Sequence, residues 1–403
     1  MKFSKLSQLV LVSAIGLLVA LLLSACQLVT IDFVFVADSV GSGSGSAGQI
    51  QIYSVDSESG ALRIGAPTVS SGGSGPVSMA VTSDYYNLFV ANAGSKNVVH
   101  FGIGTYGVLA PLDTITLTTT PVAVAVNAAG TYLYVISGTT SATLTEYPLS
   151  SGKIGAATAT VNLQLPSYPG DTIISTAVDV LANNAAVYVT AYDQSAYNPG
   201  GTVSSSANPG WVFGYAVGSG GALTATAGSP YQAGVKPSAI ASDPVNRFVY
   251  VTDFASNELI GYTIENGSAL SFMVNGPFKT GSEPSGVAVD PRGIYIYVSN
   301  SLDSSVTGYS IALPTGTPSA TVGTSGNQLT ATDTQPVCIA VDPALGRFVY
   351  TGNRLGNSVS GFRLDPNTGA LTATQASPYP TGANPAALAI IPHGNHSTQS
   401  VTP

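Results

Sequence analysis

The chain has 403 residues, 44% of them hydrophobic, and sets 12 Lys and Arg against 20 Asp and Glu for a formal charge of −8. That length can bury a large core, whereas a charged fraction of 8%, against about 25% in an ordinary soluble domain, leaves a surface of Ser, Thr, Gly, Asn and backbone. No run of Lys or Arg occurs, so the electrostatic footprint that a nucleic-acid partner requires is absent.

Residues 1–25 form a predicted signal peptide. Lys2 and Lys5 precede an apolar run from Leu9 to Leu23 that is too short and wrongly flanked for a spanning helix. The run ends in Leu23-Ser24-Ala25-Cys26, which resembles the bacterial lipoprotein signal. The resemblance implies cleavage before Cys26, a lipid on its thiol and a membrane as partner, with residues 26–30 as a short tether. Gln27 in place of Asp implies the outer membrane, on either its periplasmic or its outer side. Loss of the signal leaves 10 basic against 20 acidic residues, and Cys338 becomes the one free thiol, so no intrachain disulfide is expected.

From there a phrase returns seven times: a turn, usually with proline, then an apolar strand with alanine near its middle. The anchors are PVSMAV from Pro76, PVAVAV from Pro121, STAVDV from Ser175, PSAIAS from Pro237, PSGVAV from Pro284, PVCIAV from Pro336 and PAALAI from Pro385. Their spacings of 45, 54, 62, 47, 52 and 49 residues have the period of a propeller, whose units bury their faces only by stacking on neighbours. After each anchor comes an alternating strand ending in Asn, Asp or a small polar residue, as in FVYVTD to Asp253 and YIYVSN to Asn300, then a third strand such as LIGYTI to Ile264. Gly-Ala-Leu-Thr at Gly221 and Gly369 supplies a short fourth strand, and Asp243-Pro244, Asp290-Pro291 and Asp342-Pro343 open turns. The predicted fold is all-β, a seven-bladed β-propeller of four-stranded blades over residues 31–391.

The chain's ends predict how the ring closes. Phe33 to Asp38 is a second-type strand with no anchor before it, and Pro385 to Ile391 is an anchor with no second strand after it. The two should pair in one shared blade, removing the open strand edges. A monomer is expected, with residues 392–403 as a disordered tail. Because few residues separate Cys26 from Ile31, the first-to-second turns should face the bilayer, and the second-to-third and fourth-to-first loops should point away.

FVYVTD at Phe248, YIYVSN at Tyr295 and FVYTGN at Phe348 resemble the YVTN repeat of the lactonase-like seven-bladed propellers, as does the SPY-x-x-G-x-x-P phrase at Ser229 and Ser377. The resemblance covers Phe33 to Ile391. It implies a 6-phosphogluconolactonase-like or related carbohydrate and lactone enzyme, but none of that family's catalytic residues is carried over to a position here.

Residues repeated in every unit are scaffold, so a site is sought where the repeat breaks. Arg247, Arg347, Asp38, Asn92, Asp253, Asn300 and Asn353 are thereby read as turn residues. The third anchor lacks its proline and carries Asp179 where the other six carry alanine, a carboxylate that needs a partner if buried. The same unit has the longest interruption, with Tyr192, Asp193 and Tyr197 leading into a Gly/Ser/Pro-rich loop, and Tyr168 and Asp171 precede it. The candidate catalytic carboxylates are Asp171, Asp179 and Asp193, and the candidate ligand-binding residues are Tyr168, Tyr192, Tyr197, Lys236, Glu283 and Arg354. His100, His393 and His396 form no recognisable base or metal cluster, and neither a metal nor a cofactor is expected.

Two functions follow. One is a lipid-anchored module binding a small molecule or a surface ligand, which the sequence favours because it shows no catalytic constellation. The other is a lactonase-type hydrolase with a carboxylate as base and Lys236 or Arg354 on the oxyanion. A sugar-phosphate substrate is disfavoured by the scarcity of basic residues.

Overall fold

A computed structural model describes residues 29–39, 47–150, 153–167, 169–197, 209–321 and 329–401; the signal peptide, Cys26 and Tyr168 lie outside the described residues. Among these residues the strands form seven antiparallel sheets. Their innermost strands, Pro385–Pro392, Pro76–Val81, Pro121–Val126, Ile173–Val180, Pro237–Ser242, Pro284–Val289 and Pro336–Val341, each touch the next, and the last touches the first. We number the blades 1 to 7 in that order. No helix among the described residues is long and apolar enough to cross a membrane.

Blade 1 closes the ring as the sequence predicts. Pro385–Pro392 pairs with Thr30–Asp38, from Asp32 opposite Pro392 to Asp38 opposite Pro385. Blades 3 to 7 depart from four simple strands, because their outer edge is two short pieces on one neighbour. In blade 4, Leu223–Ala225 and Tyr231–Gln232 pair with opposite ends of Gly210–Val217.

The anchor phrase has a mechanical explanation. Register shifts by one residue just after Pro76, Pro121, Ser175, Pro237, Pro284 and Pro336, so each inner strand begins with a β-bulge, where proline's missing N–H breaks no ladder. The bulged Ser238 and Ser285 turn their hydroxyls onto the next blade, donating to Pro284 O at 2.6 Å and to Pro336 O at 2.7 Å. The small residue that follows packs tightly. At this position Cys338 fills space opposite Gly352, where an added Cβ would lie 2.7 Å from its Sγ, and burial pushes the thiol up to about 12.

The aromatic at the centre of the second strand stitches blades together. Tyr188, Tyr250, Tyr297 and Tyr350 are fully buried, and their hydroxyls donate to Ser268 O, Gly316 O, Gly369 O and Gly60 O of the following blade at 2.7, 2.7, 2.8 and 2.7 Å. A net of roughly 1 kcal/mol per such bond makes the repeated tyrosine a cohesive element. The Asp of each Asp-Pro turn likewise accepts from its own turn, as Asp243 does from Arg247 N and Phe248 N.

The end of the chain is a correction. Through residue 401 it is not a disordered tail, because Gly394–Thr398 forms a turn of 3-10 helix that seats His396, 4% exposed, against the closure seam. His396 Nδ1 lies 2.6 Å from Asp32 Oδ1 in blade 1, and Nε2 lies 3.7 Å from Asp342 Oδ2 in blade 7. A histidine that the sequence left unpartnered thus spans the join between the ring's last and first blades.

Candidate functional site at the channel mouth

Each second strand ends, and each inner strand begins, on one face of the ring. At that rim the residue after the second strand donates its amide to the residue before the inner strand of the same blade: Ala93 to Gly75, Gly138 to Thr120, Gln194 to Thr172, Phe254 to Lys236, Ser301 to Glu283 and Arg354 to Gln335. The scaffold is the same in each blade, so chemistry at the mouth depends on which side chains occupy it. Blades 2 and 3 offer Gly, Ala and Thr, whereas blades 4 to 7 offer Gln194, Lys236, Phe254, Glu283 and Arg354.

Blades 4 and 5 bring five of the sequence-predicted residues together. Ile173 and Ile174 pair with Asp193 and Tyr192, placing the Asp171 loop beside the end of Ala186–Asp193. Asp193 is 4% exposed and accepts from Ser195 N at 2.8 Å. Hydrogen bonding toward the Asp193 carboxyl, with burial and the charge of Asp193, raises Asp171 above the ordinary carboxylate range. A carboxyl raised by a neighbouring carboxylate is suited to an acid or base role. Tyr192 and Tyr197 meet edge to face with ring centroids 5.3 Å apart. Lys236 Nζ lies 5.7, 5.4 and 4.7 Å from the ring centres of Tyr192, Tyr197 and Phe254. Contact with these aromatic faces holds the ammonium near the rim.

Glu283 and Arg354 occupy the same rim in blades 6 and 7 without joining this group. Glu283 Oε2 accepts from Ser301 Oγ at 3.2 Å, and Arg354 is exposed.

Asp179 does not belong to the site. It pairs with Tyr188, six residues along the inner strand from Ile173, which at 3.3 Å per residue puts it about 20 Å from the mouth. There Ser242 N of blade 5 donates to Oδ2 at 2.9 Å, and burial raises the carboxyl to about 6 against the hydrogen bonds from Ser242 and Val180. The one anchor without alanine therefore uses its carboxylate as an inter-blade tie. Phe254 was missed by sequence reasoning, although its place directly after the repeated Asp253 marks a rim position.

Among the described residues, one group of three side chains, Asp32, Asp342 and His396, is close enough together to hold a metal ion. Three of its donor atoms are engaged, Nδ1 by Asp32, Asp342 Oδ1 by Ala344 N at 2.9 Å and Asp342 Oδ2 by Arg347 N at 3.0 Å, while Asp32 Oδ2 and His396 Nε2 have no hydrogen-bond partner. The cluster serves the seam.

Fold and rim together define a propeller whose repeat is a scaffold and whose aromatic and charged rim residues gather most densely in blades 4 and 5. The chain belongs to the family described as lactonase, 7-bladed beta-propeller, whose model matches residues 103–397. The periplasmic gluconolactonase PpgL of Pseudomonas aeruginosa is similar in structure, with a TM-score of 0.72 and 17% identity over 90% of this chain and 99% of that one. A putative 6-phosphogluconolactonase from Bacteroides fragilis gives 0.69 and 16% over 91% and 99%. A protein from Lactobacillus plantarum gives 0.71 and 16% over 90% and 100%. At such identities these likenesses speak to the fold. No curated protein matches the chain.

Proposed function

We propose that this protein is a lactone hydrolase acting on a sugar-type lactone at the mouth sector of blades 4 and 5. The observation that carries the reading is the neighbouring Asp171 and Asp193 carboxyls, with Asp171 raised, on the same rim as the Lys236 ammonium, in a chain of the lactonase family. This displaces the binding-module reading that the sequence favoured, since the pair supplies the acid–base constellation it lacked. In the proposed reaction, water attacks the lactone carbonyl and its proton passes to the carboxyl pair. The proton already held there goes to the ring oxygen as the C–O bond breaks, giving the open-chain hydroxy acid. Lys236 neutralises the tetrahedral oxyanion. A neutral lactone suits this sector, where Lys236 is held against aromatic rings and Arg354 stands two blades away.

The same reading has the protein exported and held to the outer membrane by a lipid on Cys26. The periplasmic setting named for the Pseudomonas protein supports export.

The experiment is pH-stat hydrolysis of glucono-δ-lactone and its 6-phosphate by the purified protein and by Asp171→Asn, Asp193→Asn and Lys236→Ala. The expected result is turnover of the unphosphorylated lactone, lost in the carboxylate variants with folding intact. Absence of turnover on any lactone would refute the function, and full activity in all three variants would refute the site. Cys26→Ser, expected to leave the membrane fraction, tests the anchor separately.

A further inference from the structure

The face opposite the mouth carries a second break in the repeat, formed by tyrosines in blade 2. In blades 2, 4 and 5 the turn between third and fourth strands has one geometry: Gly104 N donates to Val108 O and Gly107 N to Gly104 O, as Gly218 does to Ala222 and Gly221 to Gly218, and Glu265 to Ala269 and Ser268 to Glu265. Its central residue has positive φ, which Gly220 and Gly267 adopt at 72° without steric cost. In blade 2 it is Tyr106, at φ 62°. The turn between first and second strands repeats the anomaly. Gly130, Asn184, Asn246 and Gly293 hold its positive-φ position, and in blade 2 Tyr85 holds it at φ 62°. Glycine and asparagine are the residues that tolerate this conformation, so two tyrosines there, in one blade and on one face, work against local stability. Packing does not account for Tyr106, which is 67% exposed, and its neighbour Tyr86 is 68% exposed.

Tyr85 and Tyr86 line a groove of ≈ 430 Å³ between blades 1 and 2, as do Thr105 and Gly107 on either side of Tyr106, and its volume is within the usual size of a small-molecule site. Phe33 and Tyr85 line it, His393 stands edge-on to Phe33 at 4.9 Å, and Tyr106 closes on His393 at 6.0 Å. Asp84, Tyr86 and Ser397 add polar groups, and no Lys or Arg is among the described lining residues. Asp84 Oδ1 accepts from Thr82 and Tyr86 within its own turn, leaving Oδ2 for a ligand. Aromatic faces beside a carboxylate and hydroxyls, without a cation, match the C–H faces and hydroxyls of an uncharged sugar. They offer nothing to an anion. A bilayer is a less suitable occupant, because the site is concave and acidic.

We propose that this groove is a second binding site, distinct from the mouth, for a short neutral saccharide stacked on Tyr86 and Tyr106. It is independent of the hydrolase reading. The test is titration calorimetry of the purified protein with maltotetraose, cellotetraose and chitotetraose, against Tyr106→Gly and Tyr86→Ser, with thermal unfolding of each. One of the three sugars should bind, both variants should bind it at least about tenfold more weakly, and Tyr106→Gly should melt at the same temperature or higher. Asp171→Asn should bind it unchanged. No binding by any of the three, or equal binding by both variants, overturns the proposal. So does Tyr86- and Tyr106-dependent binding to phosphatidylethanolamine/phosphatidylglycerol vesicles in place of sugar.

Discussion

Two groups of carboxylates stand out, one at the mouth in blade 4 beside blade 5 and one at the seam between blades 7 and 1. They differ in access to solvent. At the seam, Asp32 and His396 are both sealed from solvent and bonded to each other, and both oxygens of Asp342 accept amides of its own turn. At the mouth, Asp193 is buried but its neighbour Asp171, raised above the ordinary carboxylate range, reaches solvent and so a bound molecule. A carboxylate cluster is structural or chemical according to its access to solvent, and composition alone does not separate the two.

The sharpest way to break this contrast is to neutralise one member at each place. Asp193→Asn should reduce lactone turnover by about 10²–10³-fold and alter unfolding little. A loss of folding instead, seen by circular dichroism melts, would make the mouth pair structural too. His396→Ala should do the reverse, destabilising the fold by about 2–4 kcal/mol because Asp32 is left buried without its partner, with kcat unchanged. Denaturant titration with parallel kinetics reads both quantities.

Next in size is Tyr250→Phe, which removes one inter-blade hydroxyl and leaves Gly316 O unpaired. About 1–2 kcal/mol should be lost in urea melts, with no effect on either site.

The smallest effect is in the pH profile. Burial raises Asp32, Asp38 and Asp179 to about 6, so the native chain binds protons that the unfolded chain has released between about pH 4 and 6. For His396, burial disfavours the charge, but the Asp32 hydrogen bond and the charges of Asp32 and Asp342 outweigh it and raise the imidazole above 6.5. Its contribution is complete below 6.5 and is lost as pH rises through the raised value. Asp113 and Asp333 are lowered, chiefly by hydrogen bonds from Ile154 and Ser358, and so lose their contribution below about pH 4; His393, lowered by burial, weakly opposes His396. Stability should therefore peak near pH 4 and decline toward pH 8, and His396→Ala should flatten the decline above 6.5 while leaving the part below it. A profile rising toward pH 8 would contradict the assignment at the seam.

Much of this was legible in the chain. The anchors set the number of blades, the orphan strand at Phe33 and the orphan anchor at Pro385 foretold the shared blade, and the long interruption after Tyr192 pointed to the sector proposed here as the site. Asp179 misled because an outlier in a repeat can mark a different way of tying blades as readily as a site. His396, Tyr85 and Tyr106 were silent for a related reason: a partner 364 residues away, or a φ angle, leaves no trace in local pattern.

The sequence by itself determined the propeller, since strand periodicity and the anchor repeat are local properties that every blade states again. Only the tertiary structure decided which carboxylates meet, because position around a closed ring and depth along an inner strand arise from packing. Those two coordinates set Asp171 beside Asp193 at the open mouth, left Asp179 about 20 Å below them and placed His396 against Asp32 at the seam.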